Sequence, residues 1–232
     1  MRKVFLLFTV LFLLSCSKQE ESSTIRVVGQ MKDVMWKGSL EGKISTDSLS
    51  SSSNYGLGPI EYLKGEVLLF EGQTYISQVV DSLSHQVSQV KSTKAPFFVY
   101  SKGSDLNEIS IETQELSLKS TEELIDSLFL DYHEPLLLRI DGVFKTITIH
   151  SVNLPNGSPV SSPDEAHKGL TKYQYKNING SMVGFFSRKH KAIFTHHDSY
   201  FHAHFISDDR TIMGHVDQVT FTSDKATFKV SK

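Results

Sequence analysis

Six of the ten histidines in this 232-residue chain, His190, His196, His197, His202, His204 and His215, fall within 26 consecutive positions. Two of them stand one residue apart in Tyr200-Phe201-His202-Ala203-His204-Phe205-Ile206. Side chains alternate along a strand, so His202 and His204 share one face and Phe201, Ala203 and Phe205 share the other. Ser207 to Thr211 is a polar turn, after which the chain resumes as Ile212-Met213-Gly214-His215-Val216. With the turn centred between Asp209 and Arg210, His215 lies opposite His204 and diagonal to His202, with Cβ atoms about 5 Å apart across the pair. Three imidazoles then meet on one face of a hairpin. Neutral imidazole nitrogens suit Zn²⁺, and three protein ligands leave a fourth position open. Ligand type alone also admits nickel, cobalt, iron or manganese. His196 and His197 precede the strand in a loop, as rivals for a ligand position or as partners behind the ligands.

Charge and cysteine content narrow the field. Lys and Arg number 24 against 26 Asp and Glu, a net charge of −2, so the chain lacks the positive field that nucleic-acid binding requires. A 39% hydrophobic composition with 15 Phe and 8 Tyr is that of a packed globule. The single Cys excludes an intrachain disulfide and a cysteine-based zinc cluster. That Cys closes the N-terminal segment. Met1-Arg2-Lys3 is basic, and the apolar run Val4 to Leu14 spans only about 16 Å as a helix, half a bilayer core, as in a signal peptide. The run ends Leu13-Leu14-Ser15-Cys16, which resembles the bacterial lipoprotein lipobox. The resemblance implies cleavage after residue 15 and an exported protein held by a lipid on Cys16, at the periplasmic face or the outer membrane. Residues 16–55 read as a tether and N-terminal segment, with Ser48 to Asn54 a flexible linker.

From Gly58 onward, short apolar segments alternate with turn signals, which predicts a sheet-dominated fold. The strand candidates are Gly65–Glu71, Thr74–Val79, Ala95–Tyr100, Glu108–Glu112, Leu136–Ile140, Thr146–Val152, Ser181–Phe186, Tyr200–Ile206, Ile212–Phe221 and Ala226–Val230. Asp141-Gly142, Asn156-Gly157 and Asn179-Gly180 read as turns. One helix is predicted, capped by Ser120-Thr121 with Glu123 and striped by Leu124, Ile125, Leu128 and Phe129. Val80–Val90 fits helix or strand equally. No repeat or phosphate loop occurs, and Gly56-Leu57-Gly58 runs into Pro59 instead of a dinucleotide-binding helix.

The histidine segment resembles the α-acetolactate decarboxylase family. The resemblance runs through Gly180 to Phe186, Phe201-His202-Ala203-His204-Phe205 with the Asp208-Asp209-Arg210 turn, and Gly214-His215-Val216. It implies that His202, His204 and His215 are zinc ligands. Leu63-Lys64-Gly65-Glu66-Val67 resembles the segment whose glutamate faces the metal, implying that Glu66 moves the proton. Arg139-Ile140-Asp141-Gly142 resembles the segment whose arginine faces the site, implying that Arg139 orients a carboxylate. Pro59 replaces a family threonine, and Thr195 to Ser199 replaces a Val-Pro-Gly approach. Family members also continue into a tail bearing a second glutamate. Here 17 residues follow His215, so Asp217, Asp224 or a histidine would take that role.

The implied reaction is decarboxylation of the 2-hydroxy-3-keto acid 2-acetolactate to acetoin, with zinc polarising the hydroxy-ketone and stabilising an enediolate, and no redox cofactor. The implied fold is α+β. A mixed α/β sheet lobe, residues 56–155, precedes a C-terminal antiparallel β lobe, residues 156–232, that carries the three-histidine metal site, and lobes pair into a homodimer through the N-terminal sheets. Two other readings remain open: a cupin-like metalloenzyme, and a non-catalytic zinc- or ligand-binding lipoprotein on a degenerate decarboxylase scaffold.

Overall fold

The computed structural model describes residues 24–49, 53–102 and 106–231. The expected signal peptide and Cys16 lie outside the described residues. Among the described residues no helix is long and apolar enough to cross a membrane. The first half of the chain holds β1 (Thr24–Val28), α1 (Met31–Lys37), β2 (Ile44–Ser45), β3 (Ser53–Pro59), β4 (Glu66–Phe70), β5 (Gln73–Val79), β6 (His85–Val90), β7 (Lys94–Ala95) and β8 (Phe98–Lys102). The second half holds β9 (Asn107–Ile109), β10 (Glu115–Ser117), α2 (Leu118–Leu128), β11 (Leu136–Ser151), α3 (Pro163–Ala166), β12 (Thr171–Phe186), β13 (Phe201–Ser207) and β14 (Met213–Ser231).

Two six-stranded sheets result. The first has the order β1-β8-β3-β4-β5-β6. The second runs β10-β14-β11-β12-β13, with β9 on β14 and a further pairing of β13 with the start of β14. Every strand pairing in both sheets is antiparallel. The first lobe is therefore not the mixed sheet expected. Parallel neighbours need long crossovers, usually helical, and the connections here are mostly hairpins. Nor do the sheets divide at residue 155, because β9, β10 and β11 belong to the second sheet.

Several strands are longer than the sequence predicts. Asp141-Gly142 and Asn179-Gly180 do not turn the chain; they continue β11 and β12, and Gly142 pairs with Gly180. Glycine is there for close approach. A Cβ on Gly142 would lie 2.2 Å from the Lys225 carbonyl oxygen, and one on Gly180 would lie 2.4 Å from that of Ile206. The expected tether is also partly folded. Met31, Val34 and Met35 are buried on one face of α1, an i, i+3, i+4 pattern hidden among polar neighbours. Helix α2 starts earlier than predicted: Ser117 is its cap, exchanging hydrogen bonds with Ser120. Val80–Val90 resolves as a turn followed by β6.

The second sheet buries both faces. Phe144, Phe205, Phe221 and Ile125 pack on the side covered by α2. On the other side Leu137, Val183, Ile206 and Met213 meet Tyr55, Leu57, Leu68 and Phe70 of the first sheet. The alternation Val183, Phe185 against Met182, Phe186 follows the period of two that sorts residues between these layers.

Candidate metal centre

His204 pairs with His215, the register that a turn centred between Asp209 and Arg210 dictates. His215 pairs on its other side with His150 of β11. Directly paired residues point to one face, so β13, β14 and β11 lay three imidazoles in a row. His202, two residues from His204, joins them on the side that faces the first sheet. Ring centroids are 5.4 Å apart for His202 and His204, 4.8 Å for His202 and His215, and 5.6 Å for His204 and His215. His150 stacks on His215 at 4.4 Å and 18°. His196, from the loop between β12 and β13, completes the cluster, its Nε2 2.8 Å from Nε2 of His215. His197 faces away, edge-on to the half-exposed Trp36.

Glu66 enters from the other sheet. It is only 3% exposed, at the start of β4. Its Oε1 accepts the Val152 N–H at 3.2 Å and lies 3.9 Å from His150 Nε2, and its Oε2 lies 3.7 Å from His204 Nε2. Gly65 makes this placement possible: φ is 140° and a Cβ would sit 2.2 Å from the Ser77 carbonyl oxygen. Behind the rings, Asp217 accepts a hydrogen bond from His150 Nδ1 at 2.7 Å and pairs with Lys172 at 3.0 Å. Asp217 also lines a cleft of about 500 Å³ together with Glu122, Asp198 and Ser199. Asp224 is exposed and remote from these contacts.

Burial sets the protonation states. It pushes His204 down to about 3 and His196 to about 4, and His202 and His215 well below their ordinary value, with neighbouring imidazoles adding to each shift. These rings are neutral at neutral pH and keep a lone pair. Burial pushes Glu66 the opposite way, well above the usual carboxylate range, with the Val152 hydrogen bond only partly offsetting it. Asp217 is also disfavoured by burial, but its contacts with His150 and Lys172 outweigh that and hold it low.

The donor set fits a divalent cation. His204 Nε2 and His215 Nδ1 are buried with no hydrogen-bond partner. Each such atom costs about 1–3 kcal/mol unless something satisfies it. His202 donates from Nδ1 to the Phe194 carbonyl at 2.6 Å, which fixes its tautomer and leaves the lone pair on Nε2. Ligand atoms of His196, His202 and His215 lie within 4.8 Å of one another, as do those of His150, His215 and Asp217. Imidazole with carboxylate suits zinc and its first-row neighbours.

Of the residues singled out from sequence, the structure brings Glu66, His202, His204 and His215 onto one wall, but the set whose ligand atoms all lie within 4.8 Å joins His196, not His204, to His202 and His215. The structure does not bring Arg139 there. That guanidinium donates to Asp141 at 2.6 Å, Tyr55 at 2.7 Å and Glu71 at 2.5 Å, and lies over the Phe70 ring. Phe70 is four residues beyond Glu66 on β4, about 13 Å of strand. Arg139 thus joins the two sheets at the far end of that strand, neutralised by two carboxylates. Sequence reasoning missed His150. Its strand was recognised, but only the long-range pairing of β11 with β14 puts it beside His215.

The chain is similar to known proteins in sequence and in fold. The family model for alpha-acetolactate decarboxylase matches residues 28–232. The alpha-acetolactate decarboxylase of Brevibacillus brevis is 24% identical over 224 residues, covering 93% of this chain and 75% of the relative. That of Bacillus subtilis strain 168 is 26% identical over 205 residues, covering 86% and 75%. The crystal structure of the latter enzyme superposes with a TM-score of 0.74 at 23% identity, over 89% of this chain and 84% of that one, so the fold is shared. A Staphylococcus aureus protein of unknown function, similar to the same enzymes, superposes with a TM-score of 0.67 at 20% identity. The chain belongs to the alpha-acetolactate decarboxylase family.

Proposed function

We propose that this protein decarboxylates 2-acetolactate to acetoin, using a zinc ion held by His202, His204 and His215. The observation that carries the reading is the meeting of these neutral imidazoles with one buried carboxyl group, Glu66, from the opposite sheet. A cation bound there would supply a Lewis acid that polarises the hydroxy-ketone and draws off the charge left by CO₂. The chain's own residues do the rest. Loss of CO₂ leaves an electron pair on the substrate, and the product requires one proton on carbon. Burial raises the Glu66 carboxyl group well above the usual carboxylate range and so favours its protonated form; on this reading it donates that proton and is reprotonated from solvent. The Val152 N–H fixes Oε1 and aims the other oxygen toward His204. Asp217 with Lys172 orients His150 along the same wall.

A second reading is favoured by Arg139, which must leave Glu71 and Asp141 before it can orient a substrate carboxylate. On that reading the protein binds zinc without turnover. One experiment separates the two: acetoin formation from acetolactate by the chain from Ser17 onward, with zinc and with a chelator. Turnover abolished by the chelator supports the decarboxylase. Stoichiometric zinc with no acetoin supports the binding protein.

A further inference from the structure

We propose that His196 is a further ligand of the metal centre, occupying the position that a three-histidine site would leave open, so that substrate must displace it. The proposal rests on the metal reading above. It starts from one contact between two neutral rings. Nε2 of His196 and Nε2 of His215 are 2.8 Å apart, and only one of them can carry the hydrogen that joins them. Neither choice satisfies His215. If its hydrogen is on Nε2, Nδ1 is a buried acceptor with no donor; if on Nδ1, the nearest acceptor is Asp217 Oδ1 at 3.8 Å, too far for a hydrogen bond.

A cation between the two rings removes the contest for one hydrogen. Both Nε2 atoms become ligands, and His215 carries its hydrogen on Nδ1, facing Asp217 Oδ1 at 3.8 Å, which must close by about half an ångström or more to complete a carboxylate–histidine–metal arrangement. Two nitrogens on one tetrahedral zinc sit about 3.3 Å apart, so the present spacing needs only about half an ångström of opening. His202 is already arranged for the same ion. Its Nδ1–H is held by the Phe194 carbonyl, so the backbone two residues before His196 also sets the tautomer of His202. That backbone is firm. Phe194 and Thr195 are fully buried, and the Thr195 N–H and hydroxyl both donate to the His190 carbonyl. His196 therefore stands on a fixed support with its nitrogen within 4.8 Å of those of His202 and His215.

With His204 drawn in beside His196, His202 and His215, the consequence is a closed coordination sphere at rest. Sites with four protein ligands leave no room for a labile water, whereas catalytic zinc keeps one. Binding of a hydroxy-ketone then requires His196 to swing out or the ion to expand to five ligands.

The test uses cobalt(II) as the probe metal on the full chain in detergent. The wild-type protein is expected to show the intense visible bands of a four-coordinate ion and no change on adding azide. His196→Ala is expected to show the weaker bands of an ion carrying water, a spectral shift with azide, and zinc affinity lower by about tenfold or more in chelator competition. Identical spectra, azide response and affinity in the two proteins would overturn the proposal while leaving the metal reading intact. If the wild-type chain binds no cobalt, the metal reading falls and this proposal with it. Should His196→Ala not fold, His196→Gln keeps a polar head group, and circular dichroism verifies its fold before the same three measurements.

Discussion

Glu66→Gln is the substitution that bears most directly on the chemistry. The change keeps side-chain volume, and the amide oxygen retains the hydrogen bond from Val152 N–H. It removes only the titratable proton. Burial already favours the neutral acid in the native protein, so exchanging one neutral group for another costs little, within about 1 kcal/mol, the worth of one hydrogen bond. The catalytic effect is of another size. A positioned acid contributes about 10²–10⁴ in rate, or roughly 3–5 kcal/mol of barrier. Acetoin formation is therefore expected to fall at least a hundredfold, while zinc content measured by elemental analysis stays stoichiometric and the guanidinium midpoint barely moves. A variant with unchanged turnover would remove Glu66 from proton transfer. One that loses zinc together with activity would make it a ligand instead.

Four other perturbations probe neighbouring parts of the argument. His202→Ala removes the ring whose tautomer the Phe194 carbonyl fixes, and should abolish stoichiometric zinc binding in calorimetry. Gly65→Ala, at a φ of 140° with the Ser77 carbonyl oxygen 2.2 Å from the new Cβ, should destabilise the fold by about 1–3 kcal/mol and displace Glu66, so that turnover drops more than stability does. Arg139→Met leaves Asp141 with Ser181 and Lys229 and leaves the half-exposed Glu71 to solvent, and should lower unfolding stability by about 1 kcal/mol; a selective rise in KM with unchanged stability would instead give Arg139 a role in binding substrate. The metal-free protein should weaken in acid. Its buried histidines titrate near 6.5 once unfolded but at about 3 and 4 for His204 and His196 when folded, so their contribution is complete above pH 6.5 and is lost as pH falls. Each adds a slope of about 1.4 kcal/mol per pH unit inside its window, and Glu66, shifted upward, opposes with the reverse sign above its unfolded value. A denaturation midpoint no lower at pH 5 than at pH 7 would contradict this.

The hairpin was legible because everything that fixes it is local. A strand period of two, a polar turn of known length and two flanking strands determine which side chains face each other, and His204 meets His215 as that reasoning requires. The glycine dipeptides misled for the complementary reason. Asp141-Gly142 and Asn179-Gly180 carry turn chemistry, but their glycines answer to the Lys225 and Ile206 carbonyls, contributed by other strands. The same holds for α1, whose apolar face packs in one cluster with Leu63 and Phe97 and with Val152, Leu154 and Val160, more than a hundred residues on.

Arg139 and His150 sharpen the point, since both lie on β11 and both connect to His204 through one intervening strand. Arg139 pairs with Val183, which pairs with His204; His150 pairs with His215, which also pairs with His204. Topology alone makes them equivalent. What separates them is the first sheet laid across this row. β4 presents Glu66 at one end and Phe70 with Glu71 at the other, so the histidine end of β11 meets a lone carboxyl group and the arginine end meets an aromatic ring and an acid. An arginine so placed finds its counter-ions in the protein and holds the sheets together, whereas His150 finds only Asp217 behind it and keeps Nε2 turned toward Glu66. The group across from Glu66 is thus chosen by how two sheets stack, a contact between positions 66 and 150 that no motif along either strand records.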